Sequence, residues 1–337
     1  MKKIPKKLVF LISGCLIIIA LVLISVFLIR NRIDVACPAD VVRGVFESDS
    51  PKSSLIGIRC ENAGKRPIAV MFSSDAEVRP LSGIGQADVV FEMPVTPPDN
   101  TVGVTRMMAI FNCEQPEQIG SIRSARQDFI SLAASFNAVL AHWGGEKEAL
   151  AKLNNGIIDN IDAMKYENTY FYRKSSKPMP HNGFSDFDLL WEAIENLGYN
   201  QENKFSGYSF KDPDPKQETQ IIEINYDGPF KVRWEYDSEK NAYLRFRNNE
   251  PEIDKNTSKQ VEVSVVIVME TTWSHIGGDY IDVNVTGKGN AEIYQNGEKQ
   301  EAIWEKDGAE LDSKLEFSQK NKEVEFVSGK KWIEIVF

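Results

Sequence analysis

The feature that most constrains this chain is an almost unbroken apolar run, Leu8 to Ile29, interrupted only by Ser13, Gly14, Cys15 and Ser25. As a helix, 22 residues rise about 33 Å, enough to cross a hydrocarbon layer about 30 Å thick. Lys2, Lys3, Lys6 and Lys7 precede the run and only Arg30 and Arg32 follow it. The positive-inside rule then keeps the N-terminus cytoplasmic and exports the rest. The expectation is a single-pass anchor over 1–30 whose membrane partner is Leu8–Ile29. A second reading competes: Ile12-Ser13-Gly14-Cys15 resembles a lipobox, with Cys15 acylated. The short apolar stretch before Cys15 and the apolar residues after it favour the spanning helix.

Net charge is −10, and removing the six basic residues around the run leaves −16 on the remainder. That balance disfavours a general nucleic-acid binder, which needs basic surface to neutralise phosphates. The four cysteines form no CxxC pair, so no zinc-finger spacing is present. The acidic residues and histidines are not spaced as metal ligands, so neither metal nor cofactor is expected. Cys37 and Cys60 both fall on the exported side, where disulfides persist. A bridge between them and a pair of free thiols are both open readings, and Cys113 shows no evident partner.

Residues 31–65 read as a tether containing Pro38, Gly44, Pro51 and Ser53-Ser54. From Arg66, short apolar β-rich runs appear at Ile68–Phe72, Asp88–Glu92, Met107–Phe111 and Ala138–His142, as expected of strands covered on both faces. Helices are predicted after Ser124, with Gln127 completing a capping box, over Glu146–Leu153, and after Ser185 with Asp188. This predicts an α/β or α+β layered domain over 66–212. Asp212-Pro213-Asp214-Pro215 punctuates the chain. Beyond it, 216–337 carries strand patterns with hairpin-type turns at Asn296-Gly297 and Asp307-Gly308, predicting a mostly antiparallel β domain.

Residues able to do chemistry gather between 104 and 184. Arg123 and Arg126 bracket a helix start, where free N–H groups and guanidinium forks both favour an anion. Thr105-Arg106 heads the third strand. His142-Trp143-Gly144-Gly145 joins a strand to a helix, and paired glycines admit close backbone approach. Arg173 and Pro180-His181-Asn182 lie in a later loop. Each has a plainer reading: Arg106 paired with Glu92, Arg126 with Asp128 or an exposed carboxylate, His142 as a hydrogen-bonded core residue. Recognised catalytic signatures (GxSxG, Walker A, HExxH, GxGxxG) are absent.

These motifs carry a resemblance. Arg66–Met71, Arg79–Gly83, Gln86–Glu92, Val104–Phe111, Ile119–Arg126, His142–Gly145 and Pro180–Asn182 are similar, in that order, to the YerB-like bacterial lipoprotein family. The similarity extends more loosely through Val265–Val268 and Gly289 to Phe337. The resemblance implies an exported, envelope-attached protein with an N-terminal and a β-rich C-terminal domain, and no established activity. Its recurring residues fall here on Thr105, Arg106, Arg123, Ser124, Arg126, His142, Gly144, Gly145, Arg173, His181 and Asn182. The expected role is binding of an anionic cell-wall ligand in an Arg/His cleft. The alternatives are a hydrolase or transferase using His142 or His181, and an envelope protein scaffold.

Overall fold

A computed structural model describes residues 50–97, 104–217, 220–226 and 228–337. The predicted span Leu8–Ile29, the lipobox cysteine Cys15, Cys37 and the tether up to 49 lie outside the described residues. Among the described residues, no helix is long and apolar enough to cross a membrane.

An 11-stranded sheet organises the described chain. Its strands are β1 (Ile68–Ser73), β2 (Val89–Pro94), β3 (Thr105–Phe111), β4 (Val139–His142), β5 (Asn160–Asp162), β6 (Val265–Glu270), β7 (Gly287–Gln295), β8 (Glu298–Lys306), β9 (Glu316–Gln319), β10 (Lys322–Glu323) and β11 (Lys331–Val336). Their order across the sheet is β10-β9-β8-β7-β6-β11-β2-β3-β1-β4-β5. Strands β1, β2 and β3 are buried almost throughout, because successive side chains enter two separate cores. Ala69, Met71, Phe91, Met93 and Ile110 join one core, with Phe129 and Leu132 from helix α1 (Gln127–Ser135) and Phe136 just after it. Val70, Phe72, Val90, Met107 and Phe111 join the other. Leu190 and Ile194 of a late helix, Phe187–Asn196, and the aromatic side chains of a second small sheet cover that face.

The N-terminal half is therefore mixed α/β with few helices, and the C-terminal half is largely β. The last strand departs from the antiparallel expectation. β11 lies between β2 and β6, parallel to both, so the halves on either side of 212–216 share one sheet. At Asn296-Gly297 the backbone has φ of 57° and 77°, which suits the predicted two-residue hairpin between β7 and β8. Asp307-Gly308 is not such a turn. Lys306 Nζ instead holds a wider loop through Leu311 O at 2.9 Å and Ser313 O at 2.8 Å.

The seam between the halves is closed by buried charge. Glu92 of β2 and Glu334 of β11 face Arg245 and Arg247 of the small sheet. Arg245 donates to Glu92, to Glu334 Oε1 at 2.5 Å and to Glu252 Oε2 at 2.7 Å. Its guanidinium lies 3.8 Å from the ring centre of Trp332. Arg247 Nη2 lies 2.6 Å from Glu92 Oε2, and Thr105 Oγ1 donates to Glu92 Oε1 at 2.5 Å. Burial alone would raise the Glu252 carboxyl, but the charges of Arg245, Arg247 and Arg79 bring it down to about 2. Most donors and acceptors are matched, the condition under which buried charge is tolerated; among the described residues Glu252 Oε1 and Arg247 Nε make no hydrogen bond, and Arg79 Nε stands 3.9 Å from that oxygen.

Two expectations for the first 65 residues change. Part of the tether is folded core, since Leu55 and Ile56 are buried and Leu55 O accepts from buried Lys331 Nζ at 2.8 Å. Cys60 bonds to Cys113 across 53 residues, so it is not the partner of Cys37. The sequence offered no local signal for this pair, because the register of β3 carries Cys113 to the segment around Asn62. There Asn62 Nδ2 donates to Cys113 O at 3.1 Å.

Candidate functional site

The side chains that converge lie beyond the carboxyl end of β1, the position open α/β sheets favour for ligands. Ser73 ends β1 and is paired in register with Arg106 of β3. After Gly120 the chain runs along this end: Arg123 N–H donates to Met71 O at 2.9 Å, and Trp143 N–H donates to Arg123 O at 2.9 Å. This places Arg123 between β1 and β4. Arg126 is the N-cap residue of α1. Ser124 does not cap that helix, because its hydroxyl donates to Trp143 O at 3.2 Å. The first α1 N–H, from Gln127, is taken by Glu146 Oε1 at 2.9 Å.

Arg106 does not pair with Glu92. The two sit one residue out of register, Met93 opposite Arg106 and Met107 opposite Glu92, so strand alternation sends them to opposite faces. Thr105 leaves with Glu92 for the same reason. Arg106 is left 6% exposed, and its Nε and Nη1 have no hydrogen-bond acceptor among the described residues. Burial, followed by the Arg126 and Arg123 charges, pulls Arg106 down to about 9. It remains a cation at neutral pH.

Around it, Arg123 Nη2 donates to Asp75 Oδ2 at 2.9 Å. Ser73 Oγ donates to the same oxygen at 2.5 Å. Burial pushes Asp75 up, but the Ser73 and Arg123 hydrogen bonds and the Arg106 charge outweigh it and keep the carboxyl ionised. Arg126 Nε is 4.0 Å from Glu146 Oε2, so its carboxylate is Glu146 and not Asp128. The guanidinium of Arg126 lies 5.1 Å from the ring centre of Tyr280. His181 Nδ1 stands 3.7 Å from Asp75 Oδ2 without a hydrogen bond. Burial and the Arg123 charge lower His181 below the usual imidazole value, so it is neutral at pH 7.

Arg106, Arg123, Arg126 and His181 are thus brought together. The other predicted residues form the frame. His142 is fully buried, with Nδ1 2.8 Å from Gly144 O and Nε2 3.2 Å from Asn160 Oδ1. Gly144, at φ 64°, donates its N–H to Asp162 Oδ1 at 3.0 Å, and Gly145 bridges Ala125. Arg173 is engaged by Glu167 at 2.7 Å and Asn182 Oδ1 at 2.8 Å, and stacks 4.3 Å over Trp143. Asn182 therefore braces the loop that carries His181. Asp75 and Tyr280 were not anticipated. An acid two residues past a strand end is a weak signal for the first, and nothing in the sequence near Tyr280 points to the cluster.

Asp128, next to this cluster, meets Asp282 on the hairpin of strands Trp273–Gly277 and Tyr280–Val283. Burial first, then the hydrogen bond and charge of Asp282, push Asp128 up to about 9. Gln127 Nε2 also donates to Asp282 Oδ1 at 2.7 Å. The folded Asp128 thus holds a proton that the unfolded chain releases near pH 4. Its contribution is complete below that pH and is lost as pH rises toward 9. Asp128→Asn is expected to flatten this decline and to stabilise the protein by up to about 4 kcal/mol at pH 8 relative to pH 5, about 1.4 kcal/mol per pH unit. Urea unfolding of both proteins at the two pH values checks it; parallel pH profiles would refute the assignment.

Residues 55–200 match the family described as "Protein of unknown function (DUF3048) N-terminal domain", and residues 222–333 match its C-terminal domain. The chain belongs to this family, the YerB-like proteins anticipated from its motifs. It is 27% identical over 293 residues to a Bacillus subtilis (strain 168) protein named "Putative lipoprotein YerB", spanning 85% of this chain and 86% of that one. It also resembles the crystal structure of YerB protein from Bacillus subtilis, with a TM-score of 0.76 and 26% identity. That match covers 85% of this chain and 97% of the solved one.

Proposed function

We propose that this is an extracytoplasmic, membrane-attached binding protein that holds an anionic group of a cell-envelope ligand on Arg106, Arg123 and Arg126. The observation that carries the reading is Arg106, a buried guanidinium with two free N–H donors beside two further guanidiniums. A like-charge cluster of this kind costs stability unless an anion joins it, and planar N–H forks suit phosphate or carboxylate oxygens. The Cys60–Cys113 bond supports an oxidising compartment. The relative's name, a lipoprotein, supports attachment through acylated Cys15 in preference to the spanning helix.

Arg106→Met tests the reading with two readouts. Binding of inorganic phosphate, measured calorimetrically at low salt, is expected to weaken at least tenfold, the loss of one charge-assisted hydrogen-bonding group. The ligand-free protein is expected to become more stable by about 1–3 kcal/mol, because a buried like charge gives way to an apolar side chain. Unchanged phosphate affinity together with lowered stability would mark Arg106 as structural and reject the site.

A further inference from the structure

We infer that the cleft beside the N-terminus of α1 is a subsite for a pyranose ring, so that the ligand presents a sugar next to its anionic group. This rests on the anion reading above and adds the chemistry adjoining the anion. The cleft has a volume of about 390 Å³ and is lined by Asp128, Ser131, Thr272, Trp273, Asp282 and Asn284, among others. That size falls within the range of small-molecule sites.

Its lining is made for hydroxyl groups. Ser131 is 8% exposed, lines the cleft, and its Oγ has no hydrogen-bond partner among the described residues. A buried hydroxyl without a partner is uncommon and costs stability. The Asp128 proton is shared with Asp282, which also accepts from Gln127, and the Ser131 hydroxyl and the Lys152 ammonium remain as donors beside the carboxylate and amide oxygens of Asp282 and Asn284. The wall therefore offers both donors and acceptors, the pairing that neighbouring sugar hydroxyls require. Trp273 is half-buried and supplies aromatic surface for the apolar C–H face of a pyranose. A metal ion suits the cleft poorly, since the described residues contain no group of three His, Cys, Asp or Glu able to hold one. Lys152 also lines the cleft and Asp282 stands opposite in charge, so the lining offers no cluster of cations like the one formed by the arginines.

The cleft adjoins the arginines through shared elements. Arg126, Gln127 and Asp128 are consecutive, with Arg126 at the guanidinium cluster and Asp128 in the cleft. Tyr280 and Asp282, on one hairpin strand, repeat the division: Tyr280 lies over Arg126 and Asp282 lines the cleft. A sugar phosphate can thus be divided between the two neighbouring sites.

The test uses the full-length chain with glucose 1-phosphate, glycerol 1-phosphate and uncharged methyl glucoside. Glucose 1-phosphate is expected to bind at least tenfold more tightly than glycerol 1-phosphate in calorimetry. Ser131→Ala and Asn284→Ala, the latter at an exposed position, should erase most of that margin and leave glycerol 1-phosphate binding unchanged. Equal affinity for the two phosphates, or a margin insensitive to both variants, overturns the subsite. Arg106→Met separates the two ideas. If neither phosphate responds to it, the anion reading fails, and the subsite is judged on saturation transfer to methyl glucoside. Transfer lost in Asn284→Ala then supports the subsite, and no transfer to the wild type overturns it.

Discussion

Arg245→Ala is expected to destabilise the folded protein by about 3–5 kcal/mol, the cost of removing one partner from a buried ion network. Arg245 is fully buried and joins three carboxylates drawn from both halves of the chain: Glu92, Glu252 and Glu334. Without it, Glu334 keeps only Trp234 Nε1 at 2.9 Å and Tyr226 Oη at 3.0 Å as direct donors among the described residues. Glu334 is already raised, chiefly by burial and against the pull of Arg245, and loss of Arg245 raises it further. Thermal unfolding followed by Trp234 and Trp332 fluorescence should show a midpoint roughly 6–20 °C lower. Arg245→Met combined with Glu334→Gln should recover part of the loss, because the second change removes the orphaned charge. A change below about 1 kcal/mol for Arg245→Ala would mean that apolar packing alone closes the seam.

Loss of the Cys60–Cys113 bond should cost nearly as much. It closes a loop of 53 residues, for which the chain-entropy treatment gives about 4 kcal/mol. The bond ties the segment carrying Leu55 and Ile56 to the end of β3, alongside Asn112 Nδ2, which donates to Asn62 O at 3.0 Å and Lys65 O at 2.8 Å. Cys113→Ser, or reduction of the wild type, should lower the urea midpoint and raise the denaturant slope modestly, because the unfolded chain expands once the loop is open. A reduced protein with an unchanged midpoint would show that these hydrogen bonds and the Leu55 contacts suffice without the covalent link.

Strand and helix positions in the N-terminal half were largely readable, because apolar runs covered on two faces leave a continuous pattern in the chain. Ile68–Ser73 and Thr105–Phe111 are examples. Helix caps were less readable. Ser185 donates to Tyr170 O at 2.7 Å, and Asp186 caps the late helix through Leu189 N–H at 2.9 Å. Neighbouring Ser and Asp residues both suit that role, and tertiary hydrogen bonds choose between them. Among the candidate site residues, Arg123, Arg126 and His181 could be anticipated from their places in loops at helix or strand ends. Pairing choices could not. Arg106 and Glu92 were natural partners on adjacent strands until a one-residue offset in register put them on opposite faces.

Local pattern was enough to establish the kind of layers this chain builds, the family it belongs to and the stretch in which its cationic groups concentrate. These follow from periodicity and ordered motifs, which are properties of neighbours along the chain. Tertiary packing decided that β11 joins the halves in one sheet, that Arg245 meets the distant Glu92 and Glu334, that Cys60 meets Cys113, and that Arg106 keeps free donors beside Tyr280. Those outcomes depend on which faces meet across as many as 276 residues, as in the Lys331–Leu55 contact. Strand register and competition among buried charges settle them, and neither is encoded by any single segment.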